Sequence, residues 1–234
     1  MPEALLVIWE ALPYMLSGVW ITAALILGAM GAGFVLGVPL AVAQVYGPRW
    51  AARFVGFYVW LFRGIPILVQ LYLFYFGIMA YLSSLDALEA LPLESAFLSA
   101  VMVLGLTSAA YQSQIFRGSI QSLPEGQLKA ARALGMSEMT AIRSIILPQA
   151  LRLSIPGWSN EFSILLKDSA LAFVIGVMEV MSRTRSVAAT THEPLPLALF
   201  AGVIFFLLTW LGVKVLRTLE NKVRIPGYTG QGGI

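Results

Sequence analysis

The chain has 234 residues, 59% of them hydrophobic and only 12% charged, with a mean hydropathy of +0.82. Soluble domains carry about 25% charged residues, so too little charge is present to cover a water-exposed surface, and lipid must cover much of it. The absence of cysteine and the lone histidine, His192, exclude disulfides, thiolate chemistry and a multi-histidine metal centre, and a net charge of +3 gives nucleic-acid binding no support.

The first residues, Met1 to Pro13, contain Glu3 and Glu10 but no Lys or Arg, so they lack the basic start of a cleavable signal. From Glu10 to Arg49 no charge intervenes. A bilayer core needs about 20 apolar residues per helix, which predicts one long span over Ser17–Tyr46, preceded by an interfacial segment broken at Pro13. Gly33 and Gly37 in this span form GxxxG, a face for close helix packing, within the chain or between subunits. Further spans are predicted over Val55–Leu82, Ser95–Phe116, Ser154–Met178 and Pro196–Leu216. Five spans put the termini on opposite sides. Residues 83–95 carry Asp86, Glu89 and Glu94 without a basic residue, whereas residues 117–152 carry Arg117, Lys129, Arg132, Arg143 and Arg152. The positive-inside rule therefore places the N-terminus outside and the C-terminus in the cytoplasm. Arg49, Arg53 and the basic tail agree with this orientation. Arg183 and Arg185 oppose it unless they belong to a structured outer element.

The stretch LPEGQLKAARALGMSEMTAIRSIILPQALR, residues 123–152, predicts two short helices. Gly126–Leu134 is rich in helix formers, Gly135 suits a C-terminal cap, and Ser137 suits an N-cap. The second helix is expected to stop near Leu147, before Pro148. On the residues alone this is a helical hairpin, packed locally or docked onto a partner.

Ala130, Ala131, Gly135, Leu147 and Pro148 match in spacing the cytoplasmic signature of ATP-binding-cassette importer permeases. Three other blocks resemble polar amino-acid permeases of that family: Arg63–Leu71, Ile115–Gln127 and Leu165–Leu171. Lys129 stands where that family usually has Glu, Gln114 where Glu is usual, and Ile65 where Thr is usual. The resemblance implies an all-α membrane protein of five transmembrane helices with the type I ABC importer permease fold. It implies one permease domain over 1–234, with a cytoplasmic coupling loop at 117–152. Coupling to the ATPase would fall on Gly126, Leu128, Lys129, Ala130, Ala131, Leu134 and Gly135. The implied partners are a second permease, identical or homologous, two cytoplasmic ATPase subunits and an extracytoplasmic substrate-binding protein. The chain has no phosphate-cradling loop of the G-x-x-x-x-G-K-[ST] type, so it needs no cofactor of its own. ATP and Mg are expected in the partner ATPase, and the location is a bacterial-type cytoplasmic (inner) membrane.

Charged groups within a span are rare and point to function. On the fourth predicted span, about 100° per residue aligns Ser154, Glu161 and Asp168 on one stripe, flanked by Asn160, Ser163 and Lys167. Trp158, Phe162, Leu165 and Leu166 cover the other side. Asn160, Glu161, Ser163, Lys167 and Asp168 are the candidate substrate-binding residues. A carboxylate at Glu161 could hold an α-ammonium or a basic side chain, and Asn160 could bond a carboxylate or amide. Alternatively, Glu161 is a structural acid paired elsewhere in the fold. Gln70 and the run Tyr111–Gln114 suit hydrogen bonding between helices or pore lining, Pro66 suits a packed kink, and His192 suits the surface of an outer loop.

Function is thus expected as permease subunit of an ATP-driven importer of polar amino acids, with Glu161 favouring basic ones. An ion-coupled secondary transporter would also explain the intramembrane acids, but not the helical loop. A membrane hydrolase lacks a convergent nucleophile and base.

Overall fold

The structure, a computed structural model, describes residues 2–85 and 92–224. Asp86 and Glu89, used above to orient the loop at 83–95, lie outside the described residues. Every regular element described is helical. In chain order these are α1 (Pro2–Tyr46), α2 (Arg49–Gly64), α3 (Ile67–Tyr72), a π-helical stretch (Leu73–Met79) and α4 (Ala80–Ser83). They are followed by α5 (Ala96–Gln121), α6 (Gly126–Ala133), α7 (Glu138–Ala141), a second π-helical stretch (Ile142–Ile146) and α8 (Leu147–Asp168). A 3₁₀ segment (Ser169–Ile175), α9 (Val180–Thr191) and α10 (Pro194–Val223) complete the order.

Three helical segments are long and apolar enough to cross a bilayer: Val7–Tyr46, Ala96–Gln121 and Pro194–Val223. The expected break at Pro13 does not occur, because α1 runs unbroken through Pro13 and Pro39. Each proline removes one ladder donor, and the rest of this long helix carries the segment past it.

The expected second span, with its kink at Pro66, is two helical arms, Arg49–Gly64 and Ile67–Ser83, bent by 101°. Pro66 excludes the helical conformation at Ile65, which is extended at φ −97°, ψ 130°. The carbonyls freed by the break are met by one side chain. Gln70 Nε2 donates to the Phe62 carbonyl at 2.9 Å and to the Ile65 carbonyl at 2.8 Å. Its Oε1 accepts from Thr107 Oγ1 of α5 at 2.9 Å, so the corner is tied to the bundle. Unsatisfied backbone groups are costly in lipid, and Gln70 is 2% exposed.

The core forms where α1 lies along α5 and α8 packs between α5 and α10. Small residues set the close approach of the first pair. A Cβ at Gly33 would overlap the Gln112 amide, and one at Gly37 would stand 3.1 Å from Gln112 Cβ. The GxxxG face is therefore used within the chain. Met15, Leu25, Ala29, Leu104, Leu165, Val180 and Leu197 are among the buried apolar residues of the bundle.

The other large departure lies at Pro148. The helix expected to stop at Leu147 continues, because the π-helical stretch Ile142–Ile146 shifts the hydrogen-bond register just ahead of the proline. Helix then runs on to Asp168, and the expected fourth span to Met178 gives way to the 3₁₀ segment. Arg183 and Arg185 lie on α9, a separate short helix against α1 and α10. Gly18 is what lets α9 approach, since a Cβ there would stand 2.8 Å from the Val180 nitrogen. Arg183 bonds Ser17 Oγ at 2.6 Å and lies over the Tyr14 ring.

Candidate functional site

The candidate residues of α8 fall into three surroundings. Glu161 points into the bundle and is 3% exposed. Its Oε1 accepts from Ser108 Oγ at 2.8 Å, and Ser108 Oγ in turn accepts from Gln112 Nε2 at 3.0 Å. Gln112 Oε1 accepts from Trp158 Nε1 at 2.7 Å, and its amide also donates to the Met30 carbonyl at 3.1 Å. A directed chain of donors thus runs Trp158, Gln112, Ser108, Glu161 and knits α1, α5 and α8 together. The amide of Gln112, the Ser108 hydroxyl, the Trp158 indole and one oxygen of Glu161 thus satisfy one another, which offsets the cost of their burial. Glu161 Oε2 has no hydrogen-bond partner among the described residues.

Asn160 and Ser163 face the other way, into a cleft of about 540 Å³ between α8 and α10. Pro156, Ser159, Val213, Arg217, Glu220 and Asn221 complete its walls. Asn160 is exposed and Ser163 half-buried. Lys167 is exposed and Asp168 half-buried at the end of α8 remote from α6, so neither joins the cleft. The stripe read from helical periodicity is one turn of a wheel that three neighbours divide.

The candidate coupling residues form a hairpin at the opposite end of α8. Helix α6 ends where Gly135 takes φ +82°, a left-handed conformation that favours glycine. Ser137 Oγ then accepts from the Thr140 nitrogen at 3.2 Å and caps α7. Arg132 pairs with Glu138 across the turn, and Glu125 with Lys129 at 3.6 Å along α6. Ala131 is buried, on the helix that packs against α7 and the second π-helical stretch. Gly126, Lys129, Ala130 and Gly135 are exposed, and Leu134 is 84% exposed. An apolar side chain so bare at a capped turn is a knob without a socket in this chain. Leu128 is half-buried and, with Lys129, Tyr46, Gln121 and Leu123, lines a groove of about 440 Å³ behind α6.

Sequence reasoning names Gln112 as a residue for bonding between helices, as its hydrogen bonds with Met30 and Trp158 bear out, but misses Ser108 and the α10 wall of the cleft. Ser108 and Gln112 stand four apart on α5 and therefore share a face, a signal that could have paired them with Glu161. Arg217, Glu220 and Asn221 read as a basic tail, and only the packing of α10 on α8 turns them toward Asn160.

An all-helical bundle with three long apolar helices and one bent pair is that of a multi-spanning membrane protein. The chain belongs to the family of binding-protein-dependent transport system inner membrane components, whose model matches residues 33–225. Subunits of this family form the translocation path, and ATP hydrolysis resides in a separate subunit. The chain is 33% identical over 220 residues to the octopine transport system permease protein OccM of Rhizobium meliloti, covering 94% of this chain and 90% of that one. It is 34% identical over 211 residues to the histidine/lysine/arginine/ornithine transport system permease protein HisM of Salmonella typhimurium, covering 89% of each. A crystal structure of an amino acid ABC transporter with histidines superposes with a TM-score of 0.79 at 30% identity, covering 93% of this chain and 97% of that one. The MetNI methionine ABC transporter in an inward-facing form shares the fold, with a TM-score of 0.77 at 20% identity over 91% of this chain and 97% of that one.

Proposed function

We propose that this chain is the permease of an ATP-driven importer of polar amino acids, basic ones among them. The observation that carries this reading is the exposed α6–α7 hairpin, joined without a break to the polar helix α8. The names of HisM and OccM support the substrate class. The chain crosses the membrane five times as one domain, with α2–α4 as a bent crossing and α8 as the fourth. Its N-terminus is outside and its C-terminus cytoplasmic, which puts residues 117–152 and the hairpin in the cytoplasm. Lys129 and Leu134 face the ATPase, while Ala131 lies buried within the hairpin. A second permease completes the path, two ATPase subunits supply ATP and Mg, and a binding protein delivers substrate on the outer side. Substrate passes along α8. Asn160 and Ser163 meet it in the cleft, Lys167 and Asp168 stand at the far mouth, and Glu161 serves it from the other face of α8, inside the bundle.

The test compares uptake of labelled arginine and labelled glutamine by the assembled transporter, wild type and Glu161→Gln. The amide keeps an oxygen for Ser108 but loses the charge. A raised KM for arginine alone is expected; an unchanged KM for both would remove Glu161 from the path. Depleting ATP while the membrane potential is held should abolish uptake. Uptake that persists would favour an ion-coupled carrier.

A further inference from the structure

The cleft between α8 and α10 holds groups that the reading above leaves unused. Arg217 and Glu220, three apart on α10, both line it, and neither is in an ion pair among the described residues. Ser159 also lines it. That residue is 7% exposed, and its hydroxyl has no hydrogen-bond partner. Asn160 and Asn221 add amide donors and acceptors from the two walls. A buried hydroxyl without a partner is costly, while Arg217 is exposed and Glu220 half-buried, so both charges are open to a ligand that carries their opposites. The ligand such a wall fits is small and carries an anionic group and an ammonium a few ångströms apart. Free amino acids and the ethanolamine headgroup of a phospholipid share that chemistry.

We propose that this cleft is a binding site for a free amino acid on the α6 side of the bundle, with Arg217 on the carboxylate and Glu220 on the ammonium. Asn160 completes the carboxylate contacts from α8. The proposal rests on the permease reading and adds to it a cytoplasm-side stop on the way out. Branching from α8, it stands apart from Glu161, which faces the opposite side of the same helix. The cleft is wide enough for an amino acid with a long side chain, and Val213 and Pro156 give it an apolar flank.

The experiment uses the whole transporter complex, free of nucleotide and binding protein. Labelled arginine, glutamine and glutamate are first tried one by one in ATP-driven uptake, and transport of none of them would overturn the permease reading itself. The transported one and its α-methyl ester are then measured in equilibrium binding to wild type, Arg217→Gln and Glu220→Gln. Wild type should prefer the free acid, and Arg217→Gln should weaken the acid about 10-fold while leaving the ester unchanged, the loss expected for one charged hydrogen bond. Glu220→Gln should weaken acid and ester alike. Preference for the acid surviving in Arg217→Gln, with transport intact, would overturn the cleft proposal alone. Binding is repeated in nanodiscs with and without phosphatidylethanolamine. Lipid retained by wild type and lost in both variants, with amino-acid binding unmoved, would assign the cleft to lipid and overturn the proposal. Should Arg217→Gln fail to assemble, Asn160→Ala supplies the same comparison from α8, and an unchanged acid affinity there would count against the site.

Discussion

Gln70 illustrates how one side chain decides a local fold. Its amide closes two carbonyls that Pro66 strands and joins α5 through Thr107. Gln70→Leu removes all three bonds and leaves buried polar groups unmet, at about 1–3 kcal/mol. A lower thermal midpoint of the purified complex is expected, and an unchanged one would show that other groups meet those carbonyls. Glu161 is the harder residue to read from sequence. Helical periodicity placed it on a polar stripe, but nothing in α8 itself announces that Ser108, far back in α5, lies 2.8 Å away. Spacing within one helix gives a face and not what that face meets.

At the level of elements, the sequence was most informative where backbone chemistry dictates conformation. Gly135 and Ser137 stop and start helices where expected, because a left-handed cap favours glycine and an N-cap favours a hydroxyl. Prolines were the poorest guides. Pro66 breaks its helix, Pro13 and Pro39 do not, and Pro148 is passed by a change of helical register. The same missing donor has different outcomes according to what neighbours supply, and neighbours are not visible along the chain. The turn gives a clean test. At Gly135 a Cβ would meet nothing within 4 Å, so Gly135→Ala adds conformational strain and no clash. That strain is about 1–2 kcal/mol, enough to shift α6 relative to α7. Substrate uptake should fall more than ATP hydrolysis in the complex. Equal uptake per ATP would mean that the turn does not carry the coupling.

For the whole molecule, family and fold were legible because several motif blocks lie in register along the chain, and the arrangement of its sides remains to be measured. The absence of cysteine makes that direct. Ser144→Cys, exposed on the second π-helical stretch and away from the proposed ATPase contact, should react with a membrane-impermeant maleimide only from the cytoplasm. Thr190→Cys, exposed on α9, should react only from outside. Labelling in the reverse sense would invert the topology.

The unbroken passage from α7 through the π-helical stretch into α8 has a mechanical meaning. From Glu138 to Asp168 it makes a single strut of roughly 46 Å at about 1.5 Å per residue. Its places to bend are the π-helical stretch and Pro156, where the backbone ladder is altered. Asn160 and Glu161 both lie beyond Pro156, one residue apart on opposite faces, so any displacement that passes this point shifts both faces of the helix at once.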